Sequence, residues 1–268
     1  MKYYKYIISV VLYKNMSDVV DMISSVRKAI HSYKIVLVNN YYDEASLREA
    51  KALAKNNSCD LLETNNNGYG AGNNCAIEYA SNNYKFDYII ISNPDIIIRQ
   101  FDETDLLPPA IPAIYAPDII CRTGKRQNPM WTNKNDALEW ALYQGVKHKF
   151  PVLEYGAILI RKVQRQLYLL RHKKHGGSKI YAAHGAFVVL SRTALQKIMI
   201  PYSSNMFLFF EEAWLANKAY LNGIDTYYCP SIIIDHKEDG SMKVTNLNTK
   251  SEARKSVIYY YEHKRVQE

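Results

Sequence analysis

The sequence predicts an α/β fold in which a mainly parallel central sheet is flanked by helices. Three observations carry this. Through the first hundred residues, short apolar runs alternate with segments of helical period. The runs are continuously apolar, as in strands buried on both faces. Each run also stops at polar or turn residues: Tyr13-Lys14-Asn15, Asn39-Asn40, Thr64-Asn65 and Asn93-Pro94-Asp95.

The elements follow in order. Tyr6–Leu12 reads as a buried strand, and Ser17 as the cap of a helix over 18–31 with Val19, Ile23, Val26 and Ile30 on one stripe. Residues 34–38 (KIVLV) form a second strand, and 43–57 a helix with acids in its first turn. Cys59–Glu63 is a short third strand, 73–83 a third helix and Asp87–Ser92 a fourth strand. Strands alternating with helices imply right-handed crossovers and a Rossmann-like sheet, whose ligands lie beyond the carboxyl ends of the strands. Residues 100–180 are less patterned: the Pro-rich LLPPAIPAIYAPD is not one helix, whereas 135–145 suits a helix closed by Gly145. The strand pattern returns at 180–191, a helix follows the apolar entry MFLFF and stops at Gly223, and 225–236 is extended.

Composition narrows the function classes. At 268 residues and 48% hydrophobic content the chain can bury a sizeable core. No apolar run approaches the roughly 20 residues that span a bilayer, and the first residues lack a signal-peptide pattern, so an unsecreted protein is expected. Cys59, Cys75, Cys121 and Cys229 form no C-x-x-C pair and read as free thiols. The net charge of +8 suits a phosphate-bearing partner: nucleic acid, anionic lipid or a nucleotide. Residues 161–179 hold seven Lys or Arg and no acid, which reads either as a solvated basic helix face or as a membrane-surface contact.

Four features carry chemistry. Asp95 ends the fourth strand after Asn93 and a rigid Pro94, a place suited to a hard divalent cation; taken alone, it reads more simply as a turn cap. In 64–74 (TNNNGYGAGNN), Gly68, Gly70 and Gly72 let backbone approach a ligand just before a helix N-terminus. Glu211-Glu212 opens a helix directly after an apolar segment, where a carboxylate's proton affinity rises and suits a general base. His236 closes the run Ile232-Ile233-Ile234 at a strand end, as Asp95 does, although a lone His is more often structural.

Seven stretches together resemble the family 2 glycosyltransferases of GT-A fold, especially bacterial capsule and O-antigen enzymes. In order they are VVLYKN (10–15), VNN (38–40), NNNGYGAGNNCAI (65–77), IISNPD (90–95), HGAFVVLS (184–191), FLFFEEAWL (207–215) and YYCPSIIIDHKEDGS (227–241). The resemblance implies a GT-A domain over 1–241, with a nucleotide-sugar-binding half in 1–100 and an acceptor and catalytic half in 180–241, followed by a basic, aromatic extension over 242–268. It implies inverting transfer of a sugar, of hexosyl or rhamnosyl type, from a UDP- or dTDP-linked donor to a hydroxyl of a lipid-linked glycan. The expected place is the cytoplasm, peripheral on the inner face of an anionic membrane, with no nucleic-acid partner. Leu12, Tyr13, Asn15, Asn40, Asn67, Gly70, Asn73, Asn93 and Gly185 would line the donor site. Asn93-Pro94-Asp95 would stand in for the family's D-x-D, with Asp95 and His236 holding Mg²⁺ or Mn²⁺. Glu212 would be the base and Glu211 its understudy; Trp214 stands where the family often has a further Asp. Two alternatives remain: a degenerate nucleotide-sugar binder, and a sugar nucleotidyltransferase, against which Tyr13-Lys14-Asn15 counts because a glycine-rich loop is usual there.

Overall fold

A computed structural model describes all residues except 13–15, 41–42, 173–175, 239–247 and 266–268. The chain opens with β1 (Lys2–Leu12), α1 (Ser17–Ala29), β2 (Tyr33–Asn40), α2 (Glu44–Asn56), β3 (Asp60–Thr64), α3 (Tyr69–Asn83) and β4 (Tyr84–Ser92). Then come β5 (Ile96–Phe101), β6 (Ala113–Cys121), α4 (Asp136–Lys147), α5 (Pro151–His172), β7 (Ser178–Ile180), β8 (Phe187–Ser191), α6 (Arg192–Ile198), α7 (Glu211–Leu221), β9 (Asp225–His236) and α8 (Thr249–His263).

The strands form one sheet of order β3-β2-β1-β4-β8-β6-β9-β5, with β7 also paired to β9. Strands β3, β2, β1 and β4 are mutually parallel, as are β6 and β9, whereas β8, β5 and β7 run antiparallel to their neighbours. The order 3-2-1-4 reverses direction at β1, which opens a crevice there at the carboxyl ends of β1 and β4.

Alternation along the strands builds a core on each face. Tyr6, Ile8, Val10 and Leu12 of β1 pack with α1 and α2 residues such as Met22, Val26 and Leu53. Ile7 and Val11 point the other way, into a cluster with Ala76 and Ile77 of α3 and Leu215 of α7. The sheet is thus covered on both sides, which explains why its strands read as unbroken apolar runs.

Several local expectations are corrected. Met16, not Ser17, is the N-cap of α1. Helix α3 begins at Tyr69, so Gly70 and Gly72 belong to its first turn rather than to a loop. Gly145 lies inside α4, where the backbone of Glu154 in α5 passes so close that a Cβ would sit 2.4 Å from its nitrogen. The 180–191 pattern is not one strand. It divides into β7 and β8, and Tyr181 and Ala182 between them bond the backbone of Trp131. Pro117 explains the irregular middle: it lies in β6 at a register shift, where its missing N–H is tolerated.

Residues 161–179 do not form one basic face. Arg161 is buried and stacks on the Trp131 ring at 3.7 Å, Lys179 pairs with Asp225, and Lys173 and Lys174 lie outside the described residues. The tail contributes α8, whose Val257 and Tyr260 are buried, and its cations Arg254, Lys255 and Lys264 pair with Glu154, Glu252 and Glu139.

Candidate active site

A cavity of about 440 Å³ lies at the crevice. Val11, Asn40, Asn93 and Pro94 bring to it the carboxyl ends of β1, β2 and β4. The Gly68–Tyr69 start of α3, the 183–186 segment before β8, Glu211 and Glu212 of α7, and His236 of β9 complete its wall. Its size is that of a small-molecule site.

Backbone pairing brings the first pair of side chains together. Ile96 of β5 stands opposite His236 of β9, and the Lys237 N–H extends the ladder by donating to the Asp95 carbonyl at 2.9 Å. Asp95 and His236 are therefore adjacent, with His236 Nε2 3.4 Å from Asp95 Oδ1, and both are nearly buried. His236 Nδ1 contacts Gln127 Oε1 at 2.8 Å. The Gln127 amide is oriented by its own NH₂, which donates to Glu238 at 2.8 Å, so the oxygen must face the imidazole. His236 Nδ1 therefore donates to Gln127, and its Nε2 faces the Asp95 carboxylate. That is how second-shell groups set a metal-ligating His. Gln127 was not foreseen, because it sits in an irregular stretch without a motif.

His184 stands beside this pair, its ring centroid 5.8 Å from that of His236. Burial, with the His236 and Arg165 charges adding to it, lowers its pKa to about 3, against the opposing effect of Asp95. It is neutral at physiological pH, and its Nδ1 accepts from the Ala186 N–H at 3.2 Å, which leaves the proton on Nε2.

The second pair lies on α7. The helix is entered through Phe209 and Phe210, both left-handed at φ 71° and 69°. Two consecutive aromatic residues in that region store strain, a feature found where side chains must be aimed. Glu211 is buried, and among the described residues its Oε1 has no hydrogen-bond partner. Burial, then the neighbouring Glu212 charge, raises its pKa to about 8. Glu212 is half-buried and its pKa is also raised by burial, but its Oε1 accepts from the Gly185 N–H at 3.3 Å, which favours the charged form. The pair thus shares a proton, which Glu211 holds more strongly, leaving Glu212 as the carboxylate. Gly185 permits the contact, since a Cβ there would stand 2.9 Å from Glu212 Oε1. Trp214 is buried and stacks on Tyr259 of α8, so it serves packing and does not reach the cavity.

The expected donor-site residues divide. Asn40, Asn93 and Gly185 line the cavity, and Asn40 is held by Thr64 Oγ1 at 3.0 Å. Leu12 does not line it; it is core, because its side chain falls on the α1 face of β1. Gly70 packs against Tyr202, and Asn73 is buried between Ser9 Oγ (2.7 Å) and the Tyr69 carbonyl (3.1 Å). Asn67 is exposed, and its neighbour Asn66 lines the cavity instead. Tyr13 and Asn15 lie outside the described residues.

Among solved structures, the chain is similar to residues 1–349 of S. aureus TarS, with TM-score 0.51 and 13% identity over 84% of this chain and 60% of that one. It is also similar to GalNAc-T7 in a structure with UDP, GalNAc and Mn²⁺, with TM-score 0.57 and 12% identity over 87% of this chain and 44% of that one. The chain has the GT-A fold. A further TarS structure, in complex with UDP, matches with TM-score 0.51 and 14% identity over 84% of this chain and 60% of that one. This GT-A chain spans less than two thirds of the length of these neighbours. No protein-family model and no curated protein matches it.

Among the described residues no group of three or more His, Cys, Asp or Glu is placed to hold a metal ion. Asp95 and His236 nonetheless fit one, as an oxygen and an imidazole ligand at the cavity wall. Cations of the Mg²⁺ type are commonly held by one or two protein groups plus substrate phosphates.

Proposed function

We propose that this chain is an inverting glycosyltransferase. It takes a sugar from a UDP- or dTDP-linked donor and passes it to a hydroxyl of a lipid-linked glycan in bacterial surface polysaccharide synthesis, working from the cytoplasmic face of the membrane. One observation carries the reading: a single cavity of the GT-A fold holds the Asp95–His236 pair and, separately, the Glu211–Glu212 pair. The GT-A neighbours determined with UDP support the nucleotide part.

In this reading Asn40, Asn66 and the Gly68–Tyr69 helix start receive the nucleotide, the positive end of the helix dipole favouring anionic oxygens. Asp95 and His236 would hold Mg²⁺ or Mn²⁺, which would neutralise negative charge on the departing diphosphate. Neutral His184 offers an Nε2–H without bringing charge of its own. Glu212 accepts the acceptor hydroxyl's proton as that oxygen bonds to the anomeric carbon and the bond to the nucleotide diphosphate breaks. Glu211, protonated, leaves the negative charge of the pair on Glu212.

Thermal unfolding with UDP, dTDP and their sugars, each with and without Mn²⁺, tests the donor reading. A saturating ligand at about a hundred times its Kd adds about 2.7 kcal/mol of stability. No metal-dependent shift with any nucleotide diphosphate would overturn it.

A further inference from the structure

Helix α5 packs on one side and is apolar on the other. Its inner side buries Ala157, Arg161 and Leu169, and Arg165 donates to the Gln127 carbonyl at 3.3 Å. Its outer side presents Val152, Tyr155, Leu159, Val163, Leu167 and Leu170 to solvent, 50–82% exposed. Single exposed apolar residues are ordinary, whereas a contiguous patch marks an interaction surface. These six recur at intervals of three and four along about 27 Å of helix and occupy an arc of about 120°, with Gln166 the polar residue within it.

The margins of the stripe are charged with one sign. On the helical wheel Lys162 borders one edge and Arg171 the other, and both are exposed. Lys149, also exposed, precedes the helix, whereas the nearby Lys147 is paired with Glu262. The helix has one acid, Glu154, which faces Arg254 at 3.5 Å. Among the described residues no helix is long and apolar enough to cross a membrane.

We propose that this face of α5 is an in-plane amphipathic anchor that seats the protein on an anionic lipid surface. Apolar side chains enter the acyl boundary, and the flanking cations reach up to headgroup phosphates along their aliphatic stems. Charge complementarity selects this partner over a second copy of the chain. A two-fold contact would set Lys162 and Arg171 against the same acid-free face. The anchor also bears on the cavity, because Arg165 on the opposite side of α5 bonds Gln127, the residue that orients His236. The inference deepens the membrane placement proposed above and rests on it for the lipid-linked acceptor.

The test is co-sedimentation of the full chain with phosphatidylglycerol–phosphatidylcholine vesicles and with pure phosphatidylcholine vesicles, at low and high salt. The wild type should bind the anionic vesicles, less tightly in salt. Leu159→Glu with Val163→Glu should weaken binding at least about tenfold, and Lys162→Gln with Arg171→Gln about tenfold on anionic vesicles only. Leu159→Ser with Val163→Ser, checked by circular dichroism, separates loss of the anchor from loss of fold. Failure of the wild type to sediment with anionic vesicles overturns the proposal. So does a wild-type dimer that the Leu159→Glu, Val163→Glu protein turns into a monomer without any vesicle binding in either, which would assign the face to a second copy. The assay uses no nucleotide, so its outcome is independent of the donor-binding experiment.

Discussion

Glu211→Gln should make the fold more stable at alkaline pH. Glu211 is buried, its Oε1 lacks a partner among the described residues, and burial together with Glu212 raises its pKa from the ordinary 4.5 to about 8. The folded state therefore holds a proton that the unfolded chain releases between those two values. Proton linkage gives the sign: the unfolded state binds fewer protons, so stability falls as pH rises, by about 1.4 kcal/mol per pH unit. Across the interval the wild type loses on the order of 4–5 kcal/mol, all of it retained below pH 4.5 and gone above pH 8. Gln has nearly the same shape and no charge to bury. An amide left without a partner costs about 1–3 kcal/mol, so the variant should lead by about 1–3 kcal/mol at pH 9 and trail near pH 5. Urea unfolding from pH 5 to 9 measures this directly. Parallel curves for the two proteins would refute the assignment of the proton to Glu211, and a steeper decline in the variant would reverse its sign.

Glu212→Gln should keep nucleotide binding and slow sugar transfer by roughly 10²–10⁴-fold, because the amide cannot accept the proton; transfer near the wild-type rate would remove Glu212 from the chemistry. Asp95→Ala should abolish the Mn²⁺ dependence of nucleotide-diphosphate binding with the fold intact, as judged by calorimetric titration with and without metal. Gln127→Leu should weaken Mn²⁺-dependent binding by about 10–100-fold, since His236 loses the acceptor that sets its tautomer; an unchanged titration would reduce Gln127 to packing. Gly68→Ala should cost about 2–4 kcal/mol by denaturant unfolding, for Gly68 sits at φ 101° and a Cβ would stand 2.3 Å from the Phe207 carbonyl oxygen.

Strands β1, β2 and β4 were readable because a sheet covered on both faces needs unbroken apolar runs, and the polar break at Asn93-Pro94-Asp95 was readable because nothing in a core would keep it. Glu211-Glu212 and His236 stood out for the same local reason: ionisable groups placed directly against apolar sequence. Their partnerships were not local. Asp95 meets His236 only because β5 and β9 pair antiparallel in one register, and Gln127 reaches His236 from a segment whose own sequence carries no period. Leu12 and Asn73 show the converse: each lies in a stretch that resembles the family, but backbone geometry turns their side chains into the interior. Helix α5 shows it most fully. Composition marks residues 161–179 as basic, yet which of those cations face Trp131 and Gln127, and which border an apolar stripe, depends on how the helix is rotated against the rest of the protein. Local sequence determines an element's type because propensity and periodicity act over a few residues; tertiary packing determines its facing and its partners, because those energies arise only between segments far apart in the chain.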